Sequence, residues 1–421
     1  MRIKAITALI LCGVMMTACA GKTTEQHTEQ ITEQNDKQNI TKSVGQQIEE
    51  GYDAYPDDYL TDTREGSYES SYDQYGTGDS NYSYDQYGTG DSNYSYDQYG
   101  TGDSDYAYDQ YGSNNTYTQD YTNDTGYSDV YYSFNPHVCA ALDYDSYREE
   151  AWNAFFNMCD ALREGRDSFE CADEVSFNWC FSGVLDKLFP GVAPFVDCDN
   201  CRFSNGVGHI AYLIPADEVV VKEQEFEREI ENVLSQCVTK DYTDFEKCLA
   251  IYDYMAKNIS YDDEKSDVIK GVVEDDLTEY GSGVSSCLYN KKGVCADIAI
   301  TYTYLLLQCG VDAITFGYSG HIWSYVRIDG SEYHIDPTWT TSCGDVRLSY
   351  FLMTDEERLA SIGNRKIYPL KYRYEYYTPM SYRADDTRYE EINCGKFISM
   401  DRENKIVYYE LNREMREFHY E

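Results

Sequence analysis

From Phe134 onward, apolar residues recur first at the period of a helix and later at that of a strand. In SYREEAWNAFFNMCDALREG, Ala151, Phe155, Cys159 and Leu162 share one helical face, and Gly165 ends the run. VSFNWCFSGVLDKLFPG predicts a second helix, GHIAYLIP a strand closed by proline, and VKEQEFEREIENVLSQC an amphipathic helix. Thr243-Asp244-Phe245-Glu246 has the form of a capping box, and Phe245, Leu249 and Tyr252 carry its helix to about Asn258. A stretch rich in Asp, Glu, Ser and Gly, 261–286, reads as a loop. In KKGVCADIAITYTYLLLQCG, apolar side chains from Ile298 to Leu307 cover most of the circumference, so this helix belongs at the centre of the fold.

AITFGY, HIWSYVRI and EYHIDPTW then read as strands, with Asp329-Gly330 turning the last two into a hairpin. YFLMTDEERLA supplies a closing strand and a helix start. Helices first and antiparallel strands afterwards imply an α+β fold with a helical N-terminal extension. We place one domain at 136–375, and read 376–421 as a C-terminal tail in which KFISMDRENKIVYYEL marks a small hairpin.

The preceding third has a different character. Residues 20–135 are poor in aliphatics and rich in Gln, Asn, Ser, Thr, Asp, Gly and Tyr, and bury too little apolar surface to offset the entropy of ordering. SYDQYGTGDSNY at 71–82 recurs at 83–94 and nearly again at 95–106, with a degraded copy from Ala107. Each copy carries a Gly-Thr-Gly break, and the segment reads as a disordered tether spanning on the order of 60 Å or more. The tyrosines invite stacking on a sugar or a partner surface; a solvated spacer is the plainer reading. The glutamines of the repeats, Gln74, Gln86, Gln98 and Gln110, are candidate acyl donors.

Ahead of the tether, Arg2 and Lys4 precede an apolar stretch from Ala5 to Met16, and Met16-Thr17-Ala18-Cys19 places small residues before a cysteine. Residues 1–19 resemble a bacterial lipoprotein signal, with Cys19 as the lipid attachment and the membrane as a partner through that lipid. The formal charge of −41 excludes a nucleic-acid partner, because phosphate binding needs clustered Lys and Arg. No Lys or Arg falls between Arg64 and Arg148.

Of 15 cysteines, Cys12 and Cys19 belong to the leader; if Cys295 is a free nucleophile, an even number is left that pairs or stays reduced in the core. Cys198 and Cys201 have metal-like spacing without a second pair, which favours a local disulfide or two thiols.

Cys295 opens the central helix. A thiol is a weak nucleophile until it is a thiolate, and a helix N-terminus with an imidazolium beside it favours the anion. With Asp329-Gly330 as a two-residue turn, 328 faces 331, 323 faces 336 and 321 faces 338. His321 and Asp336 then share one side of the sheet as diagonal neighbours, with Ile322, Val326, Ile328 and Ile335 on the other. That is a base and its orienting carboxylate. His334 shares the face of Asp336 and is the rival base. Trp323 and Trp339 read as wall residues, and Asp297 as a solvated or capping residue.

GVCADIA, GHIWSYV and HIDPTW together resemble the three catalytic motifs of the transglutaminase-like superfamily. FEKCLAIYDYMAKNISYD and YFLMTDEE are similar to the segments flanking that core, over about 245–358. The resemblance implies a papain/transglutaminase-like cysteine fold, with Cys295 as nucleophile, His321 as base, Asp336 as orienter and the Cys295 backbone N–H as one oxyanion donor. Ile322 departs from the small residue usual after the histidine, and Tyr289 and Asn290 are the nearby candidates for the second donor. The implied reaction is acyl transfer at a peptide or protein amide, most simply hydrolysis outside the cell; cross-linking transamidation and a non-catalytic surface module are the alternatives. No cofactor or metal is expected.

Overall fold

A computed structural model describes residues 130–421 apart from 274, 276–282, 342–343 and 364; the leader with Cys19 and the repeats lie outside the described residues. The chain is a mixed α+β fold, built from helices α1 Glu149–Arg163, α2 Glu174–Trp179, α3 Ala216–Cys237, α4 Asp244–Asn258, α5 Asp263–Ile269, α6 Cys295–Gln308 and α7 Asp355–Ser361, with shorter turns between them. Strands β1 Ser168–Glu170, β2 Arg202–Ser204 and β3 Val207–His209 form a small sheet in the N-terminal half. The main sheet holds β4 Asp312–Tyr318, β5 His321–Ile328, β6 Ser331–Ile335 and β7 Tyr368–Pro369 in the order β6-β5-β4-β7, antiparallel throughout.

Helix α1 buries Ala151, Trp152, Phe155, Met158, Cys159 and Leu162, the stripe its sequence spacing predicts. The predicted second helix is broken. Helix α2 starts at Asp173, whose Oδ1 accepts the Ser176 N–H at 2.7 Å, and the helical path kinks at Ser182 and Gly183, where Gly183 has φ 90°. GHIAYLIP yields only β3. Beyond His209 the backbone turns its bonds to an irregular segment, with Asp197 N–H donating to the Ala211 carbonyl and Leu213 N–H to that of Phe195, as the chain swings towards Pro215.

The capping box forms as read. The Thr243 hydroxyl accepts the Glu246 N–H at 3.3 Å, and Glu246 Oε2 accepts the Thr243 N–H at 2.9 Å. Glu246 is fully buried because the C-terminal residues close over it: Arg402, Lys405 and the Tyr420 hydroxyl all donate to its carboxylate. Residues 376–421 therefore hold more than a tail with one small hairpin. Strands β8 Lys396–Asp401, β9 Ile406–Leu411 and β10 Glu414–His419 make a three-stranded antiparallel sheet. Strand β10 has one buried side chain, Phe418, so its sequence shows no apolar alternation to read.

The 261–286 loop contains a second surprise, α5, whose Asp262 cap accepts the Lys265 N–H at 3.1 Å. Its acidic composition hides it from a hydrophobic pattern. Among the described residues all twelve cysteines are free thiols, and no helix is long and apolar enough to cross a membrane.

Candidate active site

Helix α6 lies between α4 and the main sheet. Ile298, Ala299, Tyr302, Leu305 and Leu306 are buried, the Tyr302 hydroxyl donates to the Cys248 carbonyl at 2.8 Å, and the Ser324 hydroxyl donates to that of Ala299 at 3.2 Å. The helix is thus held from both sides and its first turn cannot drift. Ahead of it, Lys292–Gly293 pairs in parallel with Ser260–Tyr261. A Cβ on Gly293 would lie 2.7 Å from Asp297 Cβ and 2.9 Å from Cys287 Sγ, so only glycine lets the strand pass this close to the helix.

Asp297 caps the helix, one of the two readings its sequence allowed, and is not solvated. It is buried, accepts the N–H groups of Val294 at 3.0 Å and Gly283 at 2.7 Å, and pairs with the buried Lys265 at 2.7 Å. This knot ties α5 and the loop ahead of Cys295 to the helix mouth. Cys295 itself is half-buried.

The hairpin register is the one expected from the Asp329-Gly330 turn. Ile328 pairs with Ser331, Tyr325 with His334 and Ser324 with Ile335. Both turn residues have positive φ, 50° and 82°, as a two-residue hairpin of this twist requires. Pairing stops at Ser324↔Ile335, and the chain enters the turn Pro337–Trp339 beside the start of β5. Asp336 and His321 are thereby brought together: His321 Nε2 lies 2.6 Å from Asp336 Oδ2. Cys295 is close enough to His321 to favour the protonated ring, as Asp336 does more strongly. Val326, Ile328 and Ile335 are buried as expected, and Ile322 is half-buried.

Burial pulls the His321 imidazole down, but the Asp336 charge and hydrogen bonds to Asp336 and Cys295 outweigh it and lift the pKa to about 9. Burial pushes Asp336 up, and the charges of His321 and Arg358 together hold it well below the usual carboxylate range. Asp336 is fully buried and well supplied with donors: the Trp339 indole N–H at 2.8 Å and the Thr338 N–H at 3.2 Å join His321.

His334, the rival base, is turned the other way. Its Nδ1 accepts the Trp323 indole N–H at 2.8 Å and its Nε2 faces Asp355 at 2.9 Å; burial depresses its pKa and keeps it neutral. Trp323 is fully buried. Tyr289 is exposed in the turn Ser286–Asn290, ahead of Cys295.

One charged neighbour escaped the sequence reading. Arg358 on α7 is fully buried, with Nη2 3.1 Å from Asp336 Oδ2 and its guanidinium carbon 3.9 Å from the centre of the Trp323 ring. YFLMTDEERLA marked a helix start, and a Thr354–Glu357 capping box forms there, but nothing in the sequence told which side chain of the helix turns inward. Among the described residues no cluster of His, Cys, Asp or Glu is arranged to hold a metal ion.

A half-buried thiol at the mouth of a central helix, an imidazole within electrostatic reach of it and a buried carboxylate bonded to that imidazole define an α+β domain with a cysteine–histidine–aspartate constellation. Residues 228–346, which contain all three side chains, match the family model described as a transglutaminase-like domain, so the chain carries a domain of the transglutaminase-like superfamily. One solved structure, described as the crystal structure of a TGase, is 17% identical over 33% of this chain and 43% of that one, with a TM-score of 0.23; a likeness that distant carries no structural argument. No curated protein matches this chain.

Proposed function

We propose that this protein is a cysteine-dependent hydrolase of peptide or protein amides, with its helix and sheet in a papain-like arrangement. The observation that carries the reading is the arrangement at the helix mouth, in which His321 meets Asp336 at 2.6 Å through Nε2 and has Cys295 within electrostatic reach. Cys295 is the nucleophile, His321 the base and acid, and Asp336 the residue that fixes the ring and its tautomer.

The steps balance simply. With His321 already protonated at neutral pH, Cys295 reacts as a thiolate paired with the imidazolium, and the thiolate attacks the amide carbon while the Cys295 N–H donates to the developing oxyanion. The C–N bond breaks as His321 returns the proton to the departing amine, leaving a thioester. Water adds to the thioester, giving its proton to His321; the C–S bond breaks and the proton returns to sulfur, releasing the acid. Water resolves an exposed thioester unless a second site presents an amine, which makes hydrolysis the preferred outcome over transamidation.

The leader resembles a lipoprotein signal, and on that basis we propose an extracytoplasmic enzyme anchored through lipid on Cys19, with the tether lifting the domain from the membrane surface. A Cys19→Ala chain recovered in the membrane fraction as fully as the native one would remove the anchor from the proposal.

The test of the chemistry is selective alkylation of Cys295 by iodoacetamide at pH 6, read by peptide mass spectrometry, together with cleavage of a peptide library. A native chain that labels and cleaves, with Cys295→Ala doing neither, supports the reading. Identical cleavage by Cys295→Ala would remove Cys295 as the nucleophile, and a native chain that neither cleaves nor labels selectively would leave a non-catalytic surface module in its place. Mass gain from an added labelled amine, at substrate or at the repeat glutamines, would make the enzyme a transamidase.

A further inference from the structure

Arg358 is an expensive residue for its position. It is fully buried, and Nε, Nη1 and Nη2 all lack a hydrogen-bond partner. Its Nη2 stands 3.1 Å from Asp336 Oδ2 without the alignment of a hydrogen bond, so the contact is one of charge. The guanidinium carbon sits over the Trp323 ring, 3.9 Å from its centre. An unbranched apolar side chain of similar length would fill this space without desolvating a cation. Fold stability is therefore a poor account of the charge.

Its surroundings say what the charge does. Asp336 faces His321, whose other neighbour is Cys295. Trp323 carries Arg358 on its face and has the His321 ring 6.0 Å away at 26°. The other titratable groups around the cluster are His334 on β6, held neutral, Asp355 at the start of α7, bound to His334, and Tyr350, whose phenol is pushed up by burial. Arg358 is thus the cation that balances Asp336 when His321 has given up its proton.

We infer that Arg358 is a positioning residue of the proposed reaction: its charge offsets part of the Asp336 field felt by Cys295 and His321, and its cation–π contact holds Trp323 beside the imidazole. This rests on the hydrolase reading above. With Asp336 uncompensated, an imidazolium holds its proton too firmly to pass it to a leaving amine, and extra negative charge beside the thiol opposes the thiolate. Arg358 tempers both effects.

The experiment is the pH profile of Cys295 alkylation by iodoacetamide, followed at the Cys295 peptide, in the native chain, Arg358→Met and Arg358→Lys. Loss of the charge should move the midpoint of the rise up by about one pH unit, the sign expected for added negative charge acting over several ångströms. Arg358→Lys keeps the charge and should restore the native midpoint. Circular dichroism establishes that each variant is folded, and Arg358→Gln takes the place of Arg358→Met if the latter does not fold. An unmoved midpoint in a folded, uncharged variant overturns the inference while the hydrolase reading stands. Failure of every uncharged variant to fold assigns Arg358 to the fold and overturns it equally. A native Cys295 that reacts no faster at pH 6 than a free thiol removes the hydrolase reading, and this inference with it.

Discussion

Lys265 and Asp297 form a buried ion pair, 2.7 Å long, between a helix of the acidic loop and the first turn of the helix that Cys295 opens. Asp297 holds the Val294 and Gly283 N–H groups as well, so the pair joins three segments at one point. Removing one partner of a buried pair leaves an uncompensated charge, which costs about 3–5 kcal/mol. Lys265→Met should lose that much stability in urea unfolding, and Lys265→Met with Asp297→Leu should lose less than the single change. A single variant within 1 kcal/mol of native (about a fivefold change in the folding constant) would show that the pair is not holding the loop.

Stability should depend on pH through His321. Its pKa is about 9 in the folded chain, against about 6.5 in an unfolded one. The folded state binds the proton more tightly, so the contribution is complete below about pH 6.5 and disappears as pH rises through 9. We expect on the order of 1–3 kcal/mol to be lost over that window, and His321→Gln to flatten the slope. A native chain equally stable at pH 6 and pH 9.5 would contradict the pairing with Asp336.

Asp336→Asn keeps the shape and removes the charge. The amide cannot stabilise an imidazolium, and Arg358 is left buried without its counter-charge. Amide cleavage should drop by about 10³–10⁴-fold, as for loss of an orienting carboxylate in other triads, and unfolding should become easier by a few kcal/mol. Retention of a tenth of native activity would assign the orienting role elsewhere.

His334→Phe separates the two histidines. His334 accepts from Trp323 and meets Asp355 but lies away from Cys295 in its bonding. The buried Trp323 indole N–H left without its acceptor should cost about 1–3 kcal/mol, while alkylation of Cys295 at pH 6 keeps its native rate. A collapse of that rate in a folded variant would return His334 to the role of base.

A chain ending at Gly395 lacks β8–β10. It exposes Phe245, which packs on Tyr420 and Tyr389, and frees Glu246 from Arg402, Lys405 and Tyr420. Deleting that much buried aromatic and aliphatic packing should lower stability by more than about 5 kcal/mol, seen as an early thermal transition in circular dichroism. An unchanged transition would make the sheet an appendage.

Much of this architecture was legible in the residues because it rests on short-range rules. Helices α1, α3 and α4 follow from apolar spacing and the Thr243 cap, and the β5–β6 register follows from two turn residues that accept positive φ. The register alone was enough to put His321 and Asp336 on one side of the sheet, because side chains alternate along a strand. The acidic helix α5 and the polar strand β10 escaped for the converse reason. Each buries too few apolar side chains to leave a period.

What lay beyond the sequence is everything that depends on distance through space. The sequence left Asp297 as a solvated or capping residue; it does cap, through the Val294 N–H, but the packing of α5 against α6 buries it with Lys265. No spacing connects Arg358 to Asp336, since the contact needs α7 to fold back over the sheet, nor Glu246 to Tyr420, which meet only once the C-terminal strands dock. The order of Cys295, His321 and Asp336 along the chain is a property of the sequence. Their meeting depends on a helix held between α4 and the sheet, because hydrogen bonds and charges act over a few ångströms, whatever number of residues separates the partners.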